Sequence, residues 1–360
     1  MVNTGYRQKL YWGCESTYGV AGTIDEPVGL VQSVNPTEKN NLFKIRTLGG
    51  SRDYSNIVPG KFEISGSFEY YLQEGALLRQ AFGEDSGSTA TTDSGPRVHT
   101  GTSFLHVLGS ATSPGVNSFP SFSLEFTDYE DSTGTYNLKR LFTGARVNTL
   151  SISATVDEPV KCTVDWIAQG VTVSTADATS VSESTKDPFV FYQGQVYCTS
   201  GAVTAYTQPG TGNEIAEVNS IDFSINNNLE AVWYISGTTA THQTLRGLKA
   251  LVPKGRDYEA RLGLHFANKA MYQRFLGSNT ATASQSTLSK YQIALDFVRS
   301  GTIGATPKLE TDNWMRLVLG SCAFEDINIT GAPEDIVAQN ITVSVESAKL
   351  YFVDTDASWA

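Results

Sequence analysis

The chain has 360 residues, of which 40% are hydrophobic, and a formal net charge of −11 at pH 7. This length exceeds the usual size of one hydrophobic core, so we expect two domains of about 170–180 residues, each with its own core. The apolar residues are too dispersed for a membrane span, and no polybasic stretch is present that would grip nucleic-acid phosphates. The N-terminal residues, MVNTGYRQKLYWG, lack the apolar run of a secretory signal, so we expect no export by that route.

The first predicted elements are a long connection, a strand and a helix. A connection as long as Pro36–Asn56, after a strand that ends near Val34, is usually functional or forms an interface. The alternating run over 62–72 predicts a half-buried strand. Helical spacing then predicts a helix over Glu74–Phe82, which Gly83 ends; its apolar stripe is Leu77, Leu78, Ala81 and Phe82. A low-complexity loop follows at 84–101.

The second half of the chain presents the same kinds of element in the same order. Alternation predicts strands at Ile221–Ile225 and Leu262–Phe266, and the long connection Asn226–Ala250 lies between them. A helix is predicted over Asn268–Leu276, with Asn268 as N-cap and Gly277 as the stop. A second low-complexity loop follows at Gly277–Ser289.

These similarities extend to an ordered series of matched segments. The run Ile57–Leu72 recurs 194 positions later (57 to 251) as Leu251–Phe266. The further matches are Asn40–Leu42 with Asn227–Leu229, Phe122–Phe126 with Ile293–Phe297, Val147–Ser153 with Phe324–Thr330, and loosely Cys162–Val173 with Thr342–Phe352. We therefore predict a tandem duplication with a first domain at 1–174, a Ser/Thr-rich linker at 175–188 and a second domain at 189–360.

The predicted fold class is mainly β. Frequent Gly, Ser, Thr and Asn between short alternating strands favours two tandem antiparallel β-sandwich or barrel domains, each with one flanking α-helix.

The sequence contains no recognisable catalytic or cofactor signature. It lacks a phosphate loop, a paired-histidine zinc helix, a nucleophile elbow and a dinucleotide fingerprint. The segment from Asp128 to Gly134 fails the EF-hand pattern, because its glycine is misplaced and Lys139 stands where a bidentate glutamate is needed. The four cysteines are predicted to be buried reduced thiols and the four histidines to lie at the surface. We therefore predict no catalytic, cofactor-binding or metal-binding residues and no enzymatic activity.

Three segments carry a resemblance to a known family. Trp12–Gly19 (WGCESTYG) resembles the Glu-Ser-x-Tyr-Gly opening of many siphophage tail tube proteins. Phe142–Ser153 and Cys162–Gly170 resemble the late strands of the same proteins. The second half joins this resemblance through the internal repeat.

The resemblance implies a structural virion protein. Members of the family are β-sandwiches with one flanking helix, and they form rings, commonly sixfold, that stack into a tube around a tape-measure protein. Viral DNA later passes through the tube without specific binding, and tail terminator and distal tail proteins stand at its ends. The implied location is the virion tail tube, made and assembled in the host cytoplasm, with no membrane insertion. A duplicated chain would close the ring as a trimer with pseudo-sixfold symmetry.

In that family one long loop of each domain bridges neighbouring subunits or rings. The resemblance assigns this role to Pro36–Asn56 and Asn226–Ala250. The candidate interface residues are Pro36, Lys39, Lys44, Arg46, Arg52, Tyr54, Asn226, Trp233, Tyr234, Arg246 and Lys249.

A second hypothesis is open at this stage. The aromatic groups around Tyr70, Phe122, Trp166 and Trp233 also occur on carbohydrate platforms. The alternative is thus a soluble carbohydrate- or receptor-binding double β-sandwich, including another tail component.

Overall fold

The computed structural model describes residues 8–50, 52–83, 104–109, 119–129, 136–174, 181–203, 214–215, 217–234, 246–299, 314–333 and 336–354. Its strands are β1 Lys9–Cys14, β2 Glu26–Pro27, β3 Leu30–Ile45, β4 Asn56–Tyr71, β5 Phe104–Leu108, β6 Phe122–Tyr129, β7 Tyr136–Thr155, β8 Lys161–Ala168, β9 Gly170–Ser174, β10 Gly194–Thr199, β11 Val218–Asn226, β12 Glu230–Val232, β13 Ala250–Val252, β14 Asp257–His265, β15 Tyr291–Val298, β16 Trp314–Thr330, β17 Ala338–Ser344 and β18 Ser347–Asp354. The α-helices are α1 Arg79–Phe82 and α2 Ala270–Leu276, and 3-10 turns cover Ala76–Leu78 and Phe191–Gln193. No helix in these described ranges has the length and apolar character needed to span a membrane.

A central antiparallel sheet of eight strands runs through both halves of the chain. Its order is β3-β4-β8-β7-β11-β14-β17-β16. Two flanking sheets have the orders β2-β1-β6-β7-β9 and β10-β15-β16-β18-β5. The long strands β7 and β16 pass from a flanking sheet into the central one. Side chains of the flanking and central sheets share one buried cluster, so the layers pack face to face as a sandwich. The predicted mainly-β fold class is confirmed.

The central sheet contains the same four-strand unit twice. We call β1–β4 and β6–β9 with α1 the first unit, and β10–β18 with α2 the second unit. Phe68 lies opposite Val164 in the first unit, and Leu262 lies opposite Ile341 in the second. The offsets are 194 for β4 and β14 (68 to 262) and 177 for β8 and β17 (164 to 341). The same comparison gives 187 for β3 and β11, because Val34 faces Phe68 and Ile221 faces Leu262.

Local irregularities recur at the same positions. The β7·β8 ladder skips Asn148, and the β16·β17 ladder skips Glu325, which lies 177 positions later (148 to 325). A bulge is an inserted residue that is specific to its ladder, whereas plain alternation is not. The backbone also has positive φ at Gly144 (64°) and at Ser321 (53°), which are equivalent by the same offset.

Two of the sequence matches are wrong in register. Phe122 faces Ala145 and Tyr291 faces Cys322, so Phe122 corresponds to Tyr291 instead of Ile293. Cys162 likewise corresponds to Gln339 instead of Thr342, because their partners are Ile152 and Ile329. The first error is a slip of two residues, which keeps the same faces of an alternating strand, so side-chain pattern alone does not resolve it. The second is a slip of three residues, in a segment that the sequence matches only loosely.

The helices occupy the predicted slots but are shorter than predicted. A 3-10 turn at Ala76–Leu78 leads into α1, so the stretch 74–82 is not one α-helix, and its stripe of Leu77, Leu78, Ala81 and Phe82 is buried as expected. The predicted N-cap at Asn268 is wrong by one residue, because α2 begins at Ala270 directly after Lys269; Asn268 Oδ1 accepts the Ala270 N–H at 2.8 Å from just outside the helix. Gly83 and Gly277 follow the helices with positive φ, 99° and 125°.

The core is not divided between two domains. One buried cluster includes side chains from β1 to β18, and a smaller cluster covers the other face of the second flanking sheet. Strand β5, which belongs to the first half of the chain, pairs with β18 of the second unit. The two units are therefore interlocked, and the predicted division at 174 and 189 stays a prediction.

Several smaller expectations can be placed. Residues 181–188 form no strand, as predicted for the linker, and Glu183 accepts the Tyr11 hydroxyl at 2.9 Å. Cys162, Cys198 and Cys322 are buried free thiols and Cys14 is half-buried. His106 was expected at the surface but is fully buried in β5. The loop at 84–101, residues 175–180, most of 128–134, His99 and His242 lie outside the described residues.

Candidate subunit interfaces

Glu15, the first residue of the Glu-Ser-x-Tyr-Gly motif, fastens the end of β1 to its neighbours. Its carboxylate accepts hydrogen bonds from Ser121 Oγ (2.8 Å), Ser123 Oγ (2.8 Å), and the N–H groups of Gly144 (2.7 Å) and Gly19 (3.0 Å). Hydrogen bonds to a charged acceptor are among the stronger ones in proteins. The motif is therefore a structural staple, a role that its sequence did not reveal.

Tyr18 of the same motif connects the first unit to the second. The Arg146 guanidinium lies 4.6 Å from the Tyr18 ring centroid, and Arg146 Nη1 donates to the Leu251 carbonyl at 2.5 Å. Burial raises the Tyr18 pKa to about 12 and lowers the Arg146 pKa from its usual value. At neutral pH the pair is thus a neutral phenol stacked on a guanidinium, which holds a carbonyl of the second unit.

The two units meet edge to edge where β7 pairs with β11. We call this pairing the internal joint; it runs from Thr155 opposite Ser220 to Thr149 opposite Asn226. Its core-facing side chains are fully buried: Leu150, Ile152, Phe223 and Ile225. The candidate residue Asn226 thus lies in a strand pairing inside the chain.

A buried asparagine closes one end of the internal joint. The Asn227 N–H donates to Asn148 O at 2.8 Å, and Asn227 Nδ2 donates to Val147 O at 3.0 Å and to Ala81 O at 3.2 Å. Its Oδ1 accepts from Arg256 Nε at 2.8 Å. All polar groups of this buried side chain are satisfied, so the joint ends in a specific geometry.

The second long connection contacts the first unit of the same chain. Its described parts include the two-stranded β12·β13 sheet. Lys61 Nζ lies 4.4 Å from the Trp233 ring centroid, and Arg246 donates to Gly60 O and Asn40 Oδ1, both at 2.7 Å. The Lys249 N–H donates to Val232 O at 3.0 Å, and Tyr234 is exposed. Trp233 and Arg246 therefore bridge the two units within one chain.

The first long connection is a β-hairpin and not a loop. Strand β3 continues to Ile45 and β4 begins at Asn56, so the predicted strand end near Val34 is wrong. The pairing of β8 with β4 stops at Ile64, so residues 39–50 and 52–63 form a two-stranded arm. Both faces of the arm meet solvent, which removes the alternation by which a strand is recognised. Pro36 lies just before this arm, and Lys39, Lys44, Arg46, Arg52 and Tyr54 lie within it.

The arm exposes more large apolar side chains than any comparable described segment. They are Leu42, Phe43, Ile45, Leu48, Tyr54, Ile57 and Val58, of which Phe43 is 64% exposed. Arg46 and Lys44 lie over the Tyr54 ring, at 4.6 and 5.5 Å from its centroid. A segment that exposes this many large apolar side chains is a candidate interaction site.

The central sheet ends in two free edges. On one side β3 pairs only with β4, and on the other the stretch 323–330 of β16 pairs only with β17, among the residues that the structure describes. We call these the free edges. Unpaired strand edges invite further strand pairing.

The solvent side of the central sheet is polar, and we call it the polar face. Its acidic residues outnumber its basic ones: Glu69, Asp165, Asp222, Glu259 and Asp326 against Lys161 and Arg261. Burial raises the pKa of Asp165 and of Asp222. The remaining positions are mostly Ser, Thr and Asn, which gives a hydrophilic and weakly acidic surface.

A family model for phage tail tube proteins matches residues 5–346. The chain belongs to the phage tail tube protein family. The match runs through the first unit and through the second as far as the residue before β18, so both units belong to the matched region. No curated protein matches the chain.

Membership makes this tail tube protein a structural component of the virion and confirms the resemblance carried by the motif around Glu15. The family implies self-assembly into a tube. Within the described ranges no group of three or more His, Cys, Asp and Glu side chains is arranged to hold a metal ion.

Proposed function

We propose that three chains of this tail tube protein close one ring, in which six units form a continuous inner sheet. The single observation that carries this proposal is the internal joint, where the edge strand β7 of the first unit pairs with the edge strand β11 of the second. The chain presents the same two kinds of edge again at its free edges. A head-to-tail contact between unlike edges closes a ring when the rotation per unit divides a full turn.

A closed ring of three chains would contain 24 central strands, eight from each chain. Closure would remove both free edges and with them the risk of uncontrolled strand pairing. Stacked rings would make the conduit through which viral DNA leaves the particle. We further propose that the rings enclose the tape-measure protein, that terminator and distal tail proteins cap the tube, and that assembly takes place in the host cytoplasm.

We assign the polar face to the lumen of the tube. Its excess of carboxylates would repel the phosphates of passing DNA, so that the DNA slides without binding. Replacing Glu69 and Asp165 by lysine should create salt-sensitive DNA binding in assembled tubes, measured by co-sedimentation. Unchanged DNA binding after both substitutions would mean that the polar face does not line the lumen.

We assign contacts between neighbouring chains or rings to the arm. The support is its exposed apolar side chains, together with the behaviour of the second connection, which already binds a neighbouring unit through Trp233 and Arg246. The interface role of Pro36, Lys39, Lys44, Arg46, Arg52 and Tyr54 rests on this assignment.

Electron microscopy and mass measurement of the purified protein test the function directly. Stacked rings with a central channel and three chains per ring are expected. Six chains per ring would mean that the second unit decorates the tube instead of completing its wall. Dispersed monomers with saturable glycan binding would overturn the tube hypothesis and favour the carbohydrate-binding alternative.

A further inference from the structure

We infer that the joint between chains repeats the register of the internal joint, with β16 of one chain antiparallel to β3 of the next. In this register Asp326 lies opposite Lys39 of the next chain, Asn328 opposite Thr37, and Thr330 opposite Asn35. The inference rests on the proposed ring and specifies which atoms close it.

The register follows from the offsets of the repeated unit. Strand β16 corresponds to β7 with an offset of 177, and β3 corresponds to β11 with an offset of 187. At the internal joint Thr149 faces Asn226. Adding 177 to the first position and subtracting 187 from the second gives Asp326 and Lys39. The same shift converts Ser151 opposite Ser224 into Asn328 opposite Thr37.

Burial at equivalent positions supports the same contact. Ile152 is 3% exposed inside the internal joint, whereas its equivalent at the free edge, Ile329, is 41% exposed. Leu251, whose carbonyl binds Arg146, is 2% exposed, whereas its equivalent Ile57 is 53% exposed. Apolar positions that are covered within the chain are thus uncovered where the next chain would dock.

The charges at the free edges are complementary in this register. The internal joint has the neutral pair Thr149 and Asn226 where the free edges carry Asp326 and Lys39. Neither charged group forms a salt bridge with another described residue; Lys39 lies across from Glu63, whose carboxylate pairs with Lys61. Opposite charges that face each other on adjacent strands stabilise the pairing.

Pro36 makes the proposed joint differ from the internal one at a single hydrogen bond. The Asn227 N–H points to β7, so residues of the same parity in β11, including Phe223, point the same way. Pro36 is the equivalent of Phe223 and has no N–H to donate toward Ile329 of the preceding chain. A proline whose nitrogen faces the free side is tolerated on an edge strand. The joint therefore forms with one ladder bond missing.

A cysteine pair tests the register. Thr37→Cys with Asn328→Cys occupies the position equivalent to Ser224 and Ser151, a non-hydrogen-bonded pair in which Cα atoms are about 4.5 Å apart and within disulfide reach. The two sites lie at opposite edges of the eight-stranded sheet, so the disulfide can form only between chains. The matched control is Thr37→Cys with Thr330→Cys, which is two residues out of register. Cys162, Cys198 and Cys322 are buried and add little background.

Oxidation of assembled rings should convert the Thr37→Cys/Asn328→Cys variant into covalent trimers on a non-reducing gel and leave the control mainly monomeric. If rings form but do not cross-link, or if the control cross-links equally well, the inferred register is wrong, while the proposed ring still stands. Microscopy before oxidation separates this result from a failure of the ring, because a chain that forms no rings would overturn the proposed function itself.

Mixing single variants keeps the test independent of how the double variant folds. Chains with only Thr37→Cys, mixed with chains carrying only Asn328→Cys, should give covalent dimers, and neither variant alone should do so. Asp326→Lys and Lys39→Asp should each lower ring formation at least several-fold, and the double substitution should restore it. Failure of the double substitution to restore rings would count against the Asp326–Lys39 pairing.

Discussion

The internal joint and the free edges occupy equivalent strands but differ in chemistry. The internal joint buries Leu150, Ile152, Phe223 and Ile225 and is closed by the satisfied Asn227 side chain. At the free edges Pro36 and Glu38 stand where Phe223 and Ile225 do, and Asp326 and Lys39 stand where Thr149 and Asn226 do. One joint forms as the chain folds, since its partners are covalently tethered and have a high effective concentration. In the proposed ring the free edges pair only with a second chain, and their charges and the missing Pro36 donor would limit pairing with other strands.

The two long connections differ in the same sense. The second one contributes the short β12·β13 sheet and already binds Gly60 and Asn40 through Arg246. The first one projects as the arm, with Phe43 and Leu48 exposed. Of these two connections, one is satisfied by contacts within the chain, and the other is the one that we assign to assembly.

The largest expected effect comes from opening the internal joint. Phe223→Ala removes a buried ring that stacks with Phe82 at a centroid distance of 6.3 Å. Such truncations cost about 3–5 kcal/mol, which should appear in the free energy of unfolding of the unassembled chain by chemical denaturation. Ile329→Ala, at the free edge, is the control and should leave that free energy within about 0.5 kcal/mol. Equal losses of unfolding free energy would show that the free edge is as well packed in the unassembled chain as the internal joint.

The arm should affect assembly and not folding. Phe43→Ser removes an apolar side chain that the proposed assembly would bury, which is worth about 1.5–3 kcal/mol per contact, or more than tenfold in assembly. The unassembled chain should unfold at the same denaturant concentration as the wild type. Leu288→Ser, exposed but outside the arm, serves as control for sedimentation of tubes. Loss of assembly in both variants would deny the arm a special role.

Arg146 is a difference between the two units, because its equivalent in the second unit, at the free edge, is Ala323 (146 to 323). Arg146→Ala leaves the Leu251 carbonyl without its donor and uncovers the Tyr18 ring. We expect a loss of about 1–3 kcal/mol in unfolding free energy. Arg146→Lys should recover part of it; a fully neutral Arg146→Ala would mean that the units hold together without this contact.

The smallest expected effect concerns pH. Burial raises the pKa of Asp222 in the folded chain, so its ionised form lowers stability above that raised pKa, and stability increases as pH falls from the raised pKa toward the ordinary value of 3.8. Asp222→Asn should raise the melting temperature slightly at pH 7 and flatten its pH dependence between the raised pKa and that ordinary value. Arg261 opposes this shift, so Arg261→Gln should enlarge the pH dependence of the parent chain. An unchanged pH profile in Asp222→Asn would contradict the assignment.

The sequence predicts the repeat well where a landmark fixes the register. The Val-Pro steps and the helix slots gave the offset of 194, and the Asn-Asn-Leu pairs gave 187, both in agreement with the strand pairings. Alternation alone misplaced Phe122 by two residues, since a shift of two preserves the faces. The sequence of the arm resembles that of a loop because most of its side chains, on both faces, are exposed. The internal joint was not foreseen, because edge pairing depends on backbone groups that every residue shares.

Strand β5 gives the duplicated chain a property beyond its shape. Phe104–Leu108 lies in the first half but completes the sheet of the second unit beside β18. A gene cut at the predicted linker would yield one product with an orphaned strand and another with an uncovered sheet margin. The two halves are therefore not exchangeable modules, and the ratio of first to second units in every particle is fixed at one by covalent chemistry instead of by regulated expression.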